Sequence, residues 1–300
     1  MGFISELFGY VLNALYNLFN NYGISIIIFS VLLRIILIPI TIKQQKTMKK
    51  SNKMQEEMKQ IQFKYKNDPE KLNQATIELY KREKFSPFSG CLSAILQLVI
   101  ILAVFWLVSQ PLTYMKKVQN SELYNEYKTK VEENSTKSSY KEIAIINAVE
   151  TDYREITEQL KNENIENREE LENKKASLEE LRLNMDFLGI DLSKVPTQSL
   201  NDWRVYIIPV LYVITSFVSI RMTTKMQQSK ENKEEKSEEL QSMEQMNKSM
   251  SYMMPIMSIS IAAIAPLGLA LYWLVSNLLM IVERLIINKI MSSKEEEENA

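Results

Sequence analysis

The sequence predicts an all-α integral membrane protein with five transmembrane helices, an outside N-terminus and a cytoplasmic C-terminus. Three observations lead to this fold class. Apolar runs of roughly 20 residues, enough to cross a hydrocarbon core of about 30 Å, alternate with charged segments. One segment between apolar runs is strongly basic, which marks it as cytoplasmic. The polar segments carry apolar residues at three- and four-residue spacing, which favours helices outside the bilayer as well.

The N-terminal part is predicted to contain three elements. Residues 1–21 have apolar residues on one helical stripe and are expected to form an amphipathic helix on the membrane surface. Residues 22–42 form the first span, and residues 43–91 form a cytoplasmic helical hairpin. The charged part of this hairpin, 43–89, has twelve basic and six acidic residues, a net charge of about +6. The turn Asn67-Asp68-Pro69 supplies an N-cap for its second helix.

The middle of the chain is predicted to hold a second span at 92–112 and a third at 203–222. Between them, residues 113–202 are expected to form an extra extracytoplasmic helical insert. Its polar stretch, 116–202, carries 13 basic and 19 acidic residues, a net charge of about −6. The insert has heptad-like apolar spacing of its own, so few links to the spans are expected.

The C-terminal part is predicted to begin with a cytoplasmic loop at 223–249. The apolar run that follows is too long for one span and contains Ala265-Pro266-Leu267-Gly268, which interrupts a helix. We therefore expect a fourth span at 250–265 and a fifth at 266–291. Residues 292–300 form an acidic cytoplasmic tail.

The composition argues against an enzyme. The chain has no histidine and one cysteine, Cys91, which excludes an internal disulfide and a Cys/His metal cluster. The apolar segments contain no nucleophile–base pair and no phosphate-binding loop. We expect no catalytic residue, no metal and no cofactor.

Arg34 is expected to be the one ionisable residue deep inside a span. An arginine at the centre of a membrane helix costs at least about 2.5 to 3.5 kcal/mol, so it should face a polar cavity. The alternative is that its side chain extends to the membrane interface. Polar residues in other spans are candidates for lining the same cavity, although such residues also bond to their own backbone or to a neighbouring helix. They are Gln97, Thr215, Ser216, Ser219, Tyr272, Ser276 and Asn277.

Several segments resemble, in the same order along the chain, parts of the YidC/Oxa membrane protein insertases. The first is 32–41, in which Arg34 stands five residues before Pro39. The others are Lys64 to Lys71 in the hairpin turn, Gly90-Cys91-Leu92 followed by Gln97, Phe187 to Leu192, and Pro266 to Asn277. Two departures stand out: roughly 70 extra residues separate the second and third spans, and the tail carries four glutamates where many relatives have a basic tail.

The resemblance implies a membrane protein insertase and chaperone with a polar groove inside a bacterial plasma membrane. Arg34, Gln97, Ser219 and Trp273 match groove positions, and Tyr272, Asn277 and Thr215 complete the candidate substrate-binding set. The implied partners are nascent membrane proteins, the ribosome or signal-recognition targeting machinery, membrane lipids and, as a further candidate, the Sec translocon. No sequence-specific binding to nucleic acid is implied. The alternatives are a small anion transporter or channel and a membrane assembly scaffold that inserts nothing.

Overall fold

The computed structural model describes residues 2–83, 89–133, 140–162, 167–227 and 260–298. Most of the predicted loop at 223–249 and of the predicted span at 250–265 lies outside the described residues. The chain divides into two compact units. Unit 1 comprises Met1–Leu32, Val99–Val213 and Ile259–Ser276, and unit 2 comprises Leu33–Leu98, Ile214–Ser258 and Asn277–Ala300.

Long helices dominate the part of the chain that the structure describes. They are α1 Gly2–Phe19, α2 Tyr22–Lys64, α3 Pro69–Arg82, α4 Ser89–Ser109, α5 Glu122–Glu133, α6 Lys141–Gln159, α7 Arg168–Leu178, α8 Ile207–Gln227 and α9 Leu267–Glu298. A π-helical segment, Leu112–Lys116, follows α4. The sequence did not predict the small antiparallel hairpin of β1 (Asp186–Phe187) and β2 (Ile190–Asp191).

Three helical stretches in the described residues are long and apolar enough to cross a membrane. They are Tyr22–Thr47, Trp203–Met222 and Leu267–Ile287, with mean hydropathies of 2.6, 1.8 and 1.7. A fourth apolar stretch, Ile95–Ser109, is shorter. The chain is thus a predominantly α-helical, multi-pass membrane protein.

Helix α2 continues without interruption beyond the predicted first span. It is 43 residues long and contains Pro39. Proline is tolerated inside membrane helices because neighbouring groups satisfy the backbone carbonyl that it frees. The first arm of the predicted hairpin is consequently the C-terminal half of α2.

Helix α3 runs back along this half of α2 within unit 2. The Thr76 hydroxyl lies 3.6 Å from the Met58 sulfur, and Arg82 at the end of α3 pairs with Glu57. The helix starts at the predicted turn: the Asp68 carboxylate accepts a hydrogen bond of 3.1 Å from the Lys71 amide. The N-cap prediction is therefore confirmed.

In unit 1, helix α1 packs through a narrow face in which two small residues are followed by two large ones. Its buried residues are Ser5, Gly9, Leu12 and Tyr16. The Ser5 hydroxyl donates to the Ala103 carbonyl at 3.0 Å. A Cβ at Gly9 would stand only 1.9 Å from the Tyr114 carbonyl oxygen, so this approach requires glycine.

Half of the apolar stripe predicted for α1 is exposed. Its exposed members are Leu7, Val11, Leu18 and Phe19, whereas Ile4, Phe8 and Leu15 are half-buried and Leu12 is fully buried. Phe3 and Tyr10, outside the stripe, are exposed as well. The sequence pattern therefore marks part of the surface that the protein leaves uncovered. It missed Ser5 and Gly9 on the packed face because serine and glycine carry no apolar signal. Such an uncovered apolar face fits the expected position of α1 on a membrane surface.

The region predicted as the insert is tied to the end of α4. The Glu142 carboxylate, on α6, accepts hydrogen bonds from the Leu112 amide at 2.7 Å and the Thr113 amide at 3.1 Å. The Thr113 hydroxyl donates to the same carboxylate. Burial raises the pKa of Glu142 above its ordinary value. The expectation of few links between this region and the apolar helices was wrong.

The segment after α7 also caps the starts of two long helices, α2 and α9, within unit 1. The Tyr22 amide at the start of α2 donates to the Asn184 carbonyl at 3.0 Å. At the start of α9, the Leu267 and Gly268 amides donate to the Lys194 and Leu192 carbonyls, each at 2.9 Å. The first amides of a helix have no partner inside it. These carbonyls satisfy them and fix where both helices begin.

Candidate functional site

Arg34 lies inside the span-length stretch Tyr22–Thr47 of α2, twelve residues after its start, about 18 Å along the axis. Its side chain is 18% exposed, and its guanidinium Nε is in ion-pair contact with the carboxylate of Glu283 on α9. Both residues belong to unit 2. The guanidinium therefore has a partner inside the protein, which argues against a side chain that simply extends to the interface.

Glu283 and Arg284 correct a sequence interpretation. Both lie within the span-length stretch Leu267–Ile287, so the expectation that Arg34 is the one ionisable residue deep inside a span was wrong. Arg284 interacts electrostatically with Arg34 and with Glu283. The charge of a second guanidinium therefore acts on the Arg34–Glu283 pair.

The signal for Glu283 was present in the sequence. The dipeptide Glu283-Arg284 interrupts an otherwise apolar run from Leu278 to Ile287. When hydropathy is averaged over a window as long as a span, two adjacent charged residues of opposite sign are hidden by their apolar neighbours. A search for every ionisable residue inside each apolar run would have found them.

A second polar cluster in unit 2 joins α8 and α9. The Asn277 side-chain amide donates to the Thr215 hydroxyl at 3.2 Å and to the Ser216 hydroxyl at 3.1 Å. Asn277 and Ser216 are buried, as is Ser219 one turn further along α8. The structure therefore brings together two predicted site residues, Asn277 and Thr215, as a hydrogen-bonded link between helices.

The remaining candidates occupy other surroundings. Gln97 on α4 is exposed, within unit 2. Tyr272 and Trp273 belong to unit 1, where Tyr272 is buried and the ring centroid of the half-buried Trp273 lies 6.0 Å from that of Tyr212. Their assignment to a common groove stays a prediction.

The described residues contain no cluster of three or more histidine, cysteine, aspartate or glutamate side chains that would suit a metal ion. The chemistry available at the Arg34 site is electrostatic. A desolvated guanidinium binds carboxylates and carbonyl-rich segments through charge-assisted hydrogen bonds. Any ligand of this site must share it with Glu283.

Fold and site together define an α-helical membrane protein with a buried, charged intramembrane site. A family model described as 60Kd inner membrane protein matches residues 14–295. The chain belongs to the 60Kd inner membrane protein family. It is accordingly a multi-pass protein of the bacterial inner, or plasma, membrane.

Three relatives, each named membrane protein insertase YidC, show how far the similarity extends. The protein of Fusobacterium nucleatum is 43% identical over 102 residues, 34% of this chain and 50% of the relative. That of Caldanaerobacter subterraneus is 39% identical over 105 residues, 35% of this chain and 51% of the relative. That of Francisella tularensis subsp. novicida is 34% identical over 108 residues, 36% of this chain and 20% of the relative. The matches thus span about half of the first two relatives and a fifth of the third.

Proposed function

We propose that this protein inserts other membrane proteins into the bacterial plasma membrane. Family membership across residues 14–295 and the insertase name of its relatives support the proposal. The observation that carries it is a charged intramembrane site, Arg34 with Glu283, on two helices long enough to span the bilayer. Ionisable groups at such depth mark a pathway for polar substrates.

In the proposed mechanism a polar groove lowers the free energy needed to move a hydrophilic segment part way into the bilayer. Arg34 attracts an acidic or carbonyl-rich part of the substrate, and Gln97, Thr215, Ser219, Tyr272, Trp273 and Asn277 line the route. Transfer of the substrate's apolar helix into lipid then drives release, because burying about 20 apolar residues is strongly favourable. The protein acts as a chaperone rather than as an enzyme and needs no cofactor.

The proposed layout has five spans, an outside N-terminus and an inside C-terminus. The net charge of about +6 between Lys43 and Ser89 supports a cytoplasmic α3. This basic hairpin would receive nascent membrane proteins from the ribosome or signal-recognition machinery, and the Sec translocon is a further candidate partner.

The layout is testable with single cysteines at two exposed positions in a variant that lacks Cys91. Gln60→Cys on α2 should be protected from a membrane-impermeant thiol reagent in intact cells, whereas Ser177→Cys on α7 should react. Labelling of both sites after membrane permeabilisation is the control. The opposite pattern in intact cells would contradict the layout.

Reconstitution of the purified protein into liposomes tests the function itself. The proposal expects protease-protected insertion of a single-span substrate and no uptake of a radiolabelled anion. Anion uptake without insertion would indicate a transporter or channel. If the correctly folded protein shows neither activity, the remaining interpretation is a membrane assembly scaffold that inserts nothing.

A further inference from the structure

Glu283 stands where a substrate carboxylate would have to bind if Arg34 attracts acidic segments. Its side chain is only 7% exposed, and its carboxylate is in ion-pair contact with the Arg34 guanidinium. The pair joins α2 to α9 inside the span-length parts of both helices. Any substrate carboxylate that reaches Arg34 therefore meets an internal carboxylate there first.

The surroundings of Glu283 distinguish this contact from a purely structural ion pair. Neither carboxylate oxygen of Glu283 has a partner in hydrogen-bond geometry among the described residues, although one is in contact with Arg34 Nε. A buried ion pair stabilises a fold only when further hydrogen bonds satisfy its remaining atoms. Glu283 is held chiefly by charge, and another carboxylate can supply the same charge.

Arg284 follows Glu283 directly on α9 and brings a second guanidinium near the pair. Its charge acts on both Arg34 and Glu283. This positive charge favours a carboxylate, of the protein or of a substrate, at the site. Exchange of one carboxylate for the other keeps the charge of the site constant, which avoids exposing an unpaired guanidinium to the bilayer interior.

We propose that Glu283 is a specificity-determining residue that competes with acidic substrates for Arg34. The inference rests on the proposed function. Because the competing carboxylate belongs to the protein, its effective concentration at Arg34 is high. Substrates with one acidic residue are then disfavoured relative to those with two, and neutral segments, which do not use Arg34, are unaffected.

The test measures insertion of one single-span reporter whose translocated tail carries zero, one or two aspartates. Proteoliposomes contain wild type, Glu283→Gln or, as a matched control, Glu78→Gln, which removes an exposed carboxylate on α3 of the same unit. Glu283→Gln should raise insertion of the one-aspartate reporter relative to the neutral one at least about fivefold, the lower end of typical coupling between sites. Glu78→Gln should leave this ratio unchanged.

Glu283→Asp is the second variant, in case Glu283→Gln does not fold. It keeps the negative charge and moves the carboxylate away from Arg34 by one methylene. It should raise the same ratio by a smaller factor. An unchanged ratio in every recoverable Glu283 variant would overturn the inference, as would an equal loss with all three reporters, which a structural pair predicts. If wild type inserts none of the reporters, the proposed function itself fails.

Discussion

Two buried glutamates, one in each unit, have opposite surroundings. Glu142 in unit 1 is 4% exposed and accepts hydrogen bonds from two backbone amides and the Thr113 hydroxyl. Glu283 in unit 2 is 7% exposed and has a guanidinium contact without hydrogen-bond geometry. A carboxylate surrounded by fixed donors is part of the architecture, because nothing else can replace it there. A carboxylate held by charge can be exchanged, which is what a binding site requires.

The largest effect should come from the closest packing in unit 1. Gly9→Ala places a Cβ 1.9 Å from the Tyr114 carbonyl oxygen, so the backbone of α1 or of the π-helical segment must move. Overpacking of this kind costs about 1 to 3 kcal/mol or more. We expect a clear loss of monodisperse protein on size-exclusion chromatography in detergent.

Gly2→Ala is the matched control, because nothing lies within 4 Å of its added Cβ. It should be neutral or slightly stabilising, since alanine favours a helix by up to about 1 kcal/mol over glycine. Equal behaviour of the two variants would mean that α1 does not pack against Tyr114.

The second effect concerns Glu142 and its dependence on pH. Burial raises the pKa of Glu142 above its ordinary value of about 4.5, so the folded protein binds this proton more tightly than the unfolded chain does. The stabilisation from this group is therefore fully present below about pH 4.5 and is lost as the pH rises through the raised pKa. Proteolysis of the α5–α7 region should accelerate over that interval in wild type.

Glu142→Gln removes the titration and should flatten this pH dependence. It should also accelerate proteolysis at low pH, because the side-chain amide has one acceptor oxygen and places an NH₂ donor where the carboxyl group has a second oxygen facing the donors. A wild-type profile that is flat, or that slopes in the other direction, would contradict a pKa of Glu142 raised by burial.

The sequence predicted what depends on local chemistry and apolar content. The Asp68 N-cap and the three span-length helices follow from turn residues and runs of apolar side chains. The packed face of α1 did not, because Ser5 and Gly9 are small and carry no hydrophobic signal. The Arg34–Glu283 pair joins residues 249 positions apart, a contact that no local pattern encodes.

The smallest effect should come from the hydrogen bonds between α8 and α9. Interhelical hydrogen bonds in membranes contribute about 0.6 kcal/mol on average. A double-mutant cycle of Asn277→Ala and Thr215→Val should give a coupling free energy of that order in unfolding by sodium dodecyl sulfate. Coupling above about 2 kcal/mol would show that this cluster is a fixed structural link, like the hydrogen bonds to Glu142, rather than part of an adaptable site.

The most direct test is insertion of the reporter with zero, one or two aspartates by Arg34 variants, scored by protease protection at matched protein levels. Arg34→Ala should reduce insertion of the two-aspartate reporter at least about tenfold, the expected loss for a desolvated charge pair, and the neutral reporter less than about twofold. Arg34→Lys should retain much of the activity. Arg34→Ala with Glu283→Gln removes both charges and should show the same selective loss, which excludes repulsion by an unpaired Glu283. Equal insertion of all three reporters by wild type and both alanine variants would contradict an electrostatic receptor at Arg34.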